Sequence, residues 1–142
     1  MKRNFGFSPK ECKILSKLNN PKKIQDFLDK IEYNLEEEGE TCFSPKKVLN
    51  EKKANCIEGA IFAAAALRFH GYPPLIVDLI SVRDDDHIIA VFKQGNHWGS
   101  IAQSKYTGLR YREPIHKTIR ELAISYFEGY FNFAGEKTNI SI

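Results

Sequence analysis

The stretch Lys53-Ala54-Asn55-Cys56-Ile57-Glu58-Gly59-Ala60 opens the one run of this chain that is apolar nearly all round. Asn55 is a good N-cap, because its side-chain oxygen accepts from the free N–H groups of a first helical turn. That reading places Cys56 at the first helical position. The helix continues through Ile57, Ala60, Ile61, residues 63–66 (all alanine), Leu67 and Phe69. Gly71 and the turn Tyr72-Pro73-Pro74 stop it. A helix apolar on every side belongs in the middle of a domain. Its alanines carry little bulk, so a sheet can pack close against it. Gly59 costs about 1 kcal/mol of helix propensity, and close approach by a neighbouring backbone is the expected reason for it.

The pattern changes period beyond that helix. Leu75 to Val82 is β-branched and apolar and reads as a strand, and Arg83-Asp84-Asp85-Asp86 reads as a charged turn. His87 to Phe92 is a second strand, Gly95-Asn96 a hairpin turn, and Trp98 to Gln103 a third strand. A two-residue turn pairs Gln94 with His97 and Lys93 with Trp98. Continued, the same register sets Ile88 opposite Gln103 and His87 opposite Ser104. Leu109 to Arg112 is expected as an edge strand ended by Pro114. His116 to Phe131 reads as an amphipathic helix with Ile119, Leu122, Ala123, Tyr126, Phe127 and Tyr130 inward, and Gly135 to Ile142 as a polar tail that frays.

Upstream, Ser8-Pro9-Lys10-Glu11 is a helix start with the elements of a capping box, followed by Ile14, Leu15 and Leu18 on one face. Asn19-Asn20-Pro21 ends that helix and starts another, with Ile24, Phe27, Leu28 and Ile31 as its buried stripe. Tyr33 to Cys42 is acidic and reads as a solvated loop. Thr41 and Phe43 make a short extended entry to Ser44-Pro45, a third such start, with Val48 and Leu49 inward. Glu51-Lys52-Lys53 leads out as a loop. Helices first, then an antiparallel meander, then a helix make an α+β domain. One domain spans residues 1–142: a helical scaffold over 1–35, a core over 41–112 and a C-terminal helix over 116–132.

The totals fit this. A chain of 142 residues with 42% hydrophobic and 27% charged residues has enough material for one real core. The net charge of +3 comes without a basic stripe, so no nucleic-acid partner is expected. No run has the length of a membrane span. Positive charge at Lys2 and Arg3 has no apolar run behind it, so no signal peptide and no membrane are expected, and the cytoplasm is the expected location. There Cys12, Cys42 and Cys56 are thiols. No CxxC pair, glycine-rich phosphate loop or second histidine near Asp84, Asp85, Asp86 and His87 is present, so no metal and no cofactor are expected.

The chemistry then rests on two residues. Free N–H groups and the helix dipole stabilise an anion at a helix start, which lowers the pKa of a thiol at Cys56. The same N–H groups point at charge forming just outside the helix, as an oxyanion hole requires. If the hairpin packs on the central helix, His87 at the head of its strand reaches Cys56 and draws its proton, giving a nucleophile and a general base. Cys12 and Cys42 have no such partner in the sequence. His97 and His116 are expected at the surface. Glu58 is a partner for the helix dipole near the thiol, and Trp98 packs in the core or over the site.

Asn55-Cys56-Ile57-Glu58-Gly59-Ala60, the long helix, Gly71-Tyr72-Pro73-Pro74, and His87 ahead of Trp98 resemble the core of the transglutaminase-like superfamily. Thr41-Cys42-Phe43-Ser44-Pro45 with Val48-Leu49 resembles its lead-in. The resemblance covers roughly residues 41–104 and implies a papain-like arrangement: cysteine at the central helix, histidine on one strand, aspartate on the next. The aspartate position falls at Ala102, Gln103 or Ser104, none a carboxylate. The hairpin register favours Ser104, with Gln103 as the other candidate. Either orients the imidazole by accepting from its other N–H, and stabilises an imidazolium less than an aspartate does. The implied activity is acyl transfer through a Cys56 thioester, with His87 as base and then acid. The substrate would be a peptide, protein or amide. The acceptor would be water, as in a cysteine peptidase or amidase, or an amine, as in a transglutaminase; water is expected in so small a domain. The missing carboxylate favours a rival, a weak or inactive peptide- or protein-binding module on the same fold.

Overall fold

Three helices begin in the same way, with a polar cap followed by proline: Pro9–Lys17 (α1) under Ser8, Pro21–Lys30 (α2) under Asn20, and, after a first short strand Glu32–Tyr33 (β1), Pro45–Glu51 (α3) under Ser44. In each, the cap side chain accepts from the backbone N–H three residues on. Ser8 and Glu11 close the expected capping box. The computed structural model describes residues 5–37, 39–81, 86–127 and 140–141. The expected charged turn at Arg83-Asp84-Asp85, the end of the expected last helix at 128–131 and nearly all of the expected polar tail lie outside these residues.

Lys53–Ala54 (β2) pairs in parallel with β1, Glu32 against Lys53 and Tyr33 against Ala54. Tyr33 and Lys53 are expected in loops from sequence, and no strand is expected at either segment. Both segments are strands too short to show a period, held because Asn34 N–H donates to the Ala54 carbonyl and Glu32 N–H to that of Lys52. Cys56–Phe69 (α4) follows, capped by Asn55. Phe62, Ala63, Ala66 and Leu67 on it are fully buried, and each large side chain among them contributes about 2 kcal/mol by leaving water.

The main sheet is antiparallel. Its strands are Leu75–Ser81 (β3), His87–Gln94 (β4), His97–Ile101 (β5), Arg112–His116 (β6) and, after the helix Ile119–Phe127 (α5), Ile140–Ser141 (β7). Their order is β6-β5-β4-β3-β7. Gly95 and Asn96 both have positive φ, as a two-residue turn of matching twist needs. The register is the expected one, Gln94 against His97 and Lys93 against Trp98.

Two boundaries differ from the sequence reading. The edge strand is Arg112–His116, not Leu109 to Arg112, and Pro114 lies inside it. An outermost strand tolerates proline because one row of its N–H groups has no partner to lose. Thr107–Leu109 is instead a 3-10 turn. The last helix starts at Ile119, not His116. Thr118 caps it by accepting from Glu121 N–H at 3.0 Å, which leaves His116 in the strand.

Side chains alternate across β4. Ala90 and Phe92 join Ile101 in one cluster with Leu15, Leu28, Phe62 and Leu67 of the helices. Ile89 and Val91 join Leu79, Leu109, Leu122 and Tyr126 in the other. The sheet therefore has α4 on one face and α5 on the other. Beyond β5, the buried Gln25 of α2 meets Ala102 with its amide: Oε1 accepts from Ala102 N–H and Nε2 donates to the Ala102 carbonyl, each at 2.9 Å.

Candidate functional site

Asn55 accepts from Glu58 N–H with its side chain, while Glu58 accepts from Asn55 N–H, each at 2.9 Å. This reciprocal box fixes where α4 begins, and so fixes Cys56 as its first residue. Glu58 does more than cap. Its side chain is fully buried. It accepts from Asn34 Nδ2 at 3.0 Å, Thr41 Oγ1 at 2.5 Å and Phe43 N–H at 2.7 Å. Burial alone raises a carboxyl pKa. Here bonds from Thr41, Asn34 and the N–H groups of Asn55 and Phe43 outweigh it, and the Glu58 pKa is lowered. The acidic segment before α3 is thus tied to the start of the central helix through one ionised carboxylate.

Cys56 is half-buried at that start. Its Sγ lies 3.8 Å from the Asp86 carbonyl oxygen, with the thiol as donor. A donor S–H keeps its proton, so this contact favours the thiol, while the N–H groups of the first turn favour the thiolate. Asp86 directly precedes His87, so the structure brings the sulfur to the head of β4. Asp78, paired in the ladder next to that head, has its pKa raised by desolvation and by the adjoining Asp86 carboxyl, which hydrogen-bonds to it.

The imidazole itself turns the other way. His87 pairs with Leu79 and shares the strand face of Ile89, so its ring points to the α5 side. There Nε2 lies 2.7 Å from the Leu109 carbonyl oxygen and the ring packs against Tyr126 at 5.5 Å between centroids. A carbonyl only accepts, so Nε2 carries the proton and Nδ1 the lone pair. Burial lowers the His87 pKa to about 4; the Leu109 bond opposes the shift and Arg112 adds to it. The ring is neutral at pH 7, basic at Nδ1, and on the opposite sheet face from the helix that carries the thiol.

Neither sequence candidate for the third member partners this ring. The ladder between β4 and β5 ends at Ala90 and Ile101, short of the Ile88–Gln103 and His87–Ser104 pairs expected from the hairpin. Ser104 Oγ accepts from Tyr106 N–H at 3.0 Å. Gln103 Nε2 donates to the Leu28 carbonyl at 3.4 Å, and its Oε1 accepts from Ser104 N–H. The orienting acceptor is the Leu109 carbonyl. Gln103 has another part to play: a Cβ on Gly59 would lie 2.5 Å from Gln103 Cβ. The close approach at Gly59 is thus made first by a side chain, not by the neighbouring backbone expected from the sequence.

The pattern Asn55-x-x-Glu58 announces the capping box, but nothing in it shows Asn34 or Thr41 converging on the same carboxylate. A main-chain acceptor such as Leu109 leaves no residue signature at all. Trp98 packs beside the α5-side cluster, with Lys93 Nζ 5.6 Å from its ring centre. Cys12, on α1, and Cys42, between the two residues that bond to Glu58, are free thiols. His116 Nδ1 lies 3.7 Å from Glu121. Among the described residues no group of three or more His, Cys, Asp or Glu could hold a metal ion, and no helix is long and apolar enough to cross a membrane. No protein-family model and no curated protein matches the chain.

Proposed function

We propose that this domain is a thiol-dependent acyl-transfer enzyme of the transglutaminase-like, papain-related kind, with Cys56 as nucleophile and His87 as base and then acid. The observation that carries the reading is the contact of Cys56 Sγ, at the first position of a boxed helix start, with the carbonyl of the residue before His87 at 3.8 Å. Attack by the thiolate on a peptide, protein or side-chain carboxamide would form a thioester, with the amine leaving as its proton returns from the imidazole. Water or a second amine would then take the acyl group. In the described arrangement the ring faces α5, so proton transfer requires it to leave the Leu109 carbonyl and turn toward the sulfur. The acyl-transfer step itself needs no cofactor.

That same seating of His87 favours the second reading, a domain that keeps the fold and uses the helix-start cleft to bind a peptide or protein. Alkylation of Cys56 by iodoacetamide across pH, followed by mass spectrometry of its peptide, separates the two. The enzyme reading expects, once the ring has turned to the sulfur, an apparent thiol pKa below the ordinary value of about 8.5 and a rise on adding His87→Ala, so the measurement is made in the wild type and in Tyr126→Phe, which loosens the pocket around the ring. An ordinary value unchanged by His87→Ala in both backgrounds overturns it in favour of the binding module.

A further inference from the structure

The imidazole of His87 sits in a pocket whose walls are joined to one another. Leu109, which holds Nε2, belongs to the 3-10 turn. Tyr126, which packs on the ring, belongs to α5. Arg112 ties the two together. Its Nη2 donates to the Gly108 carbonyl at 2.7 Å, in the turn, and its Nε donates to Ser125 Oγ at 3.0 Å, in α5. The guanidinium also lies 4.1 Å from the Tyr126 ring centre, close enough for a cation–π attraction. Tyr126 is pinned at its other end. Its hydroxyl donates to the Arg110 carbonyl at 2.5 Å and takes a hydrogen bond from Ser100 Oγ at 2.6 Å. Turn, strand and helix form one clamp, and the ring is inside it.

Set against this, the hold of the sheet on His87 is slight. It is the first residue of β4, and its pairing with Leu79 is the terminal pair of the β3–β4 ladder. The backbone next to it already touches Cys56. Moving the ring to the thiol side therefore breaks one end pair, the Leu109 bond and the packing on Tyr126.

We propose that α5 is a latch: docked, it holds His87 on the sheet face away from Cys56 and keeps the site at rest; displaced, it releases the imidazole to the thiol. The proposal rests on the reading of Cys56 and His87 as nucleophile and base, and names the regulation of that site. Undocking of α5 by a bound substrate or partner would couple occupancy to the arrival of the base, because a ligand shifts such an equilibrium by its preference for one state. Arg112 and Tyr126 are positioning residues, which act on the thiol only through His87.

Full-length Tyr126→Phe and Arg112→Gln variants test it. The first removes the hydroxyl's two bonds and keeps the ring; the second cuts the tie between turn and helix at a half-buried residue, and keeps the test open should the first unfold. Nitrogen NMR of the His87 ring reads its tautomer and protonation, and iodoacetamide reads Cys56. The latch expects faster exchange of the Nε2 proton, a pKa climbing from about 4 toward the ordinary histidine range, and a Cys56 alkylation rate raised at least about tenfold at pH 7, the gain being lost on adding His87→Ala. A freed His87 ring with no change at Cys56 overturns the latch. So does a wild-type thiol already dependent on His87 and indifferent to both variants, which leaves the acyl-transfer reading standing. A Cys56 pKa of about 8.5 in every variant removes both.

Discussion

Two buried polar centres flank the sheet, and they are buried on opposite terms. At the start of α4, Glu58 is fully enclosed and ionised, because four donors converge on its two oxygens. On the α5 side, His87 is nearly as enclosed and neutral, because burial outweighs its one carbonyl acceptor and a nearby guanidinium adds to the effect. Burial penalises charge in both places. What differs is whether the surroundings supply hydrogen bonds to the charged form. The first centre is a fixed joint, and the second is a pocket that a ring can leave.

The comparison is broken most severely at the joint. Glu58→Ala strands the N–H groups of Asn55 and Phe43 and the side chains of Asn34 and Thr41, and is expected to cost about 3–5 kcal/mol, read as a lower urea midpoint. A loss under about 1 kcal/mol would mean that the donors find water and that the joint is not fixed. Acid titration sharpens the contrast next. The folded His87 pKa of about 4 lies below its ordinary 6.5, so the unfolded chain takes up the proton first. That contribution is complete above pH 6.5 and falls as pH drops toward 4, by about 3 kcal/mol. Glu58, whose folded pKa is also lowered, contributes fully above its ordinary range and loses its share only as pH falls through its lowered value. His87→Phe should flatten urea-monitored stability in the upper window and leave the lower one. If both windows survive His87→Phe, the ring is not buried neutral.

The smallest effect is expected at Gly59. Alanine there gains about 1 kcal/mol of helix propensity but drives a methyl into Gln103 Cβ, an overpacking cost of about 1–3 kcal/mol. A net loss of about 1 kcal/mol by thermal melting is expected. Gln103→Ala, which keeps the Cβ, should not rescue it, and Gln103→Gly should. Rescue by both would place the clash elsewhere in that side chain.

Local chemistry carried most of the fold. Ser8, Asn20, Ser44 and Asn55 cap the helices expected of them because the signal and the structure lie within four residues of each other. The hairpin register follows from Gly95-Asn96 for the same reason. The apolar run of α4 marks the centre because no amphipathic alternative exists for it. Extrapolation failed with distance from a signal. Five pairs from the turn the ladder still holds, and beyond Ala90 and Ile101 it ends, so the inferred facing of His87 and Ser104 has no ladder beneath it. Cys56 and the head of β4 were legible as neighbours. Which face the imidazole takes depends on Leu109 and Tyr126, which lie 22 and 39 positions along the chain and carry no local cue.

The amide of Gln25 behaves, in effect, as a single residue of a further strand. It presents one donor and one acceptor to Ala102 at strand spacing, and its second amide proton goes to Asp29 at 2.9 Å. A strand displaced by one position would present Ile101 or Gln103 to this amide and turn the wrong side chains to the helices. The first helices thus proofread the alignment of β5. They also set where Gln103 meets Gly59, so a misthreaded sheet would be rejected at the first turn of α4, beside the thiol.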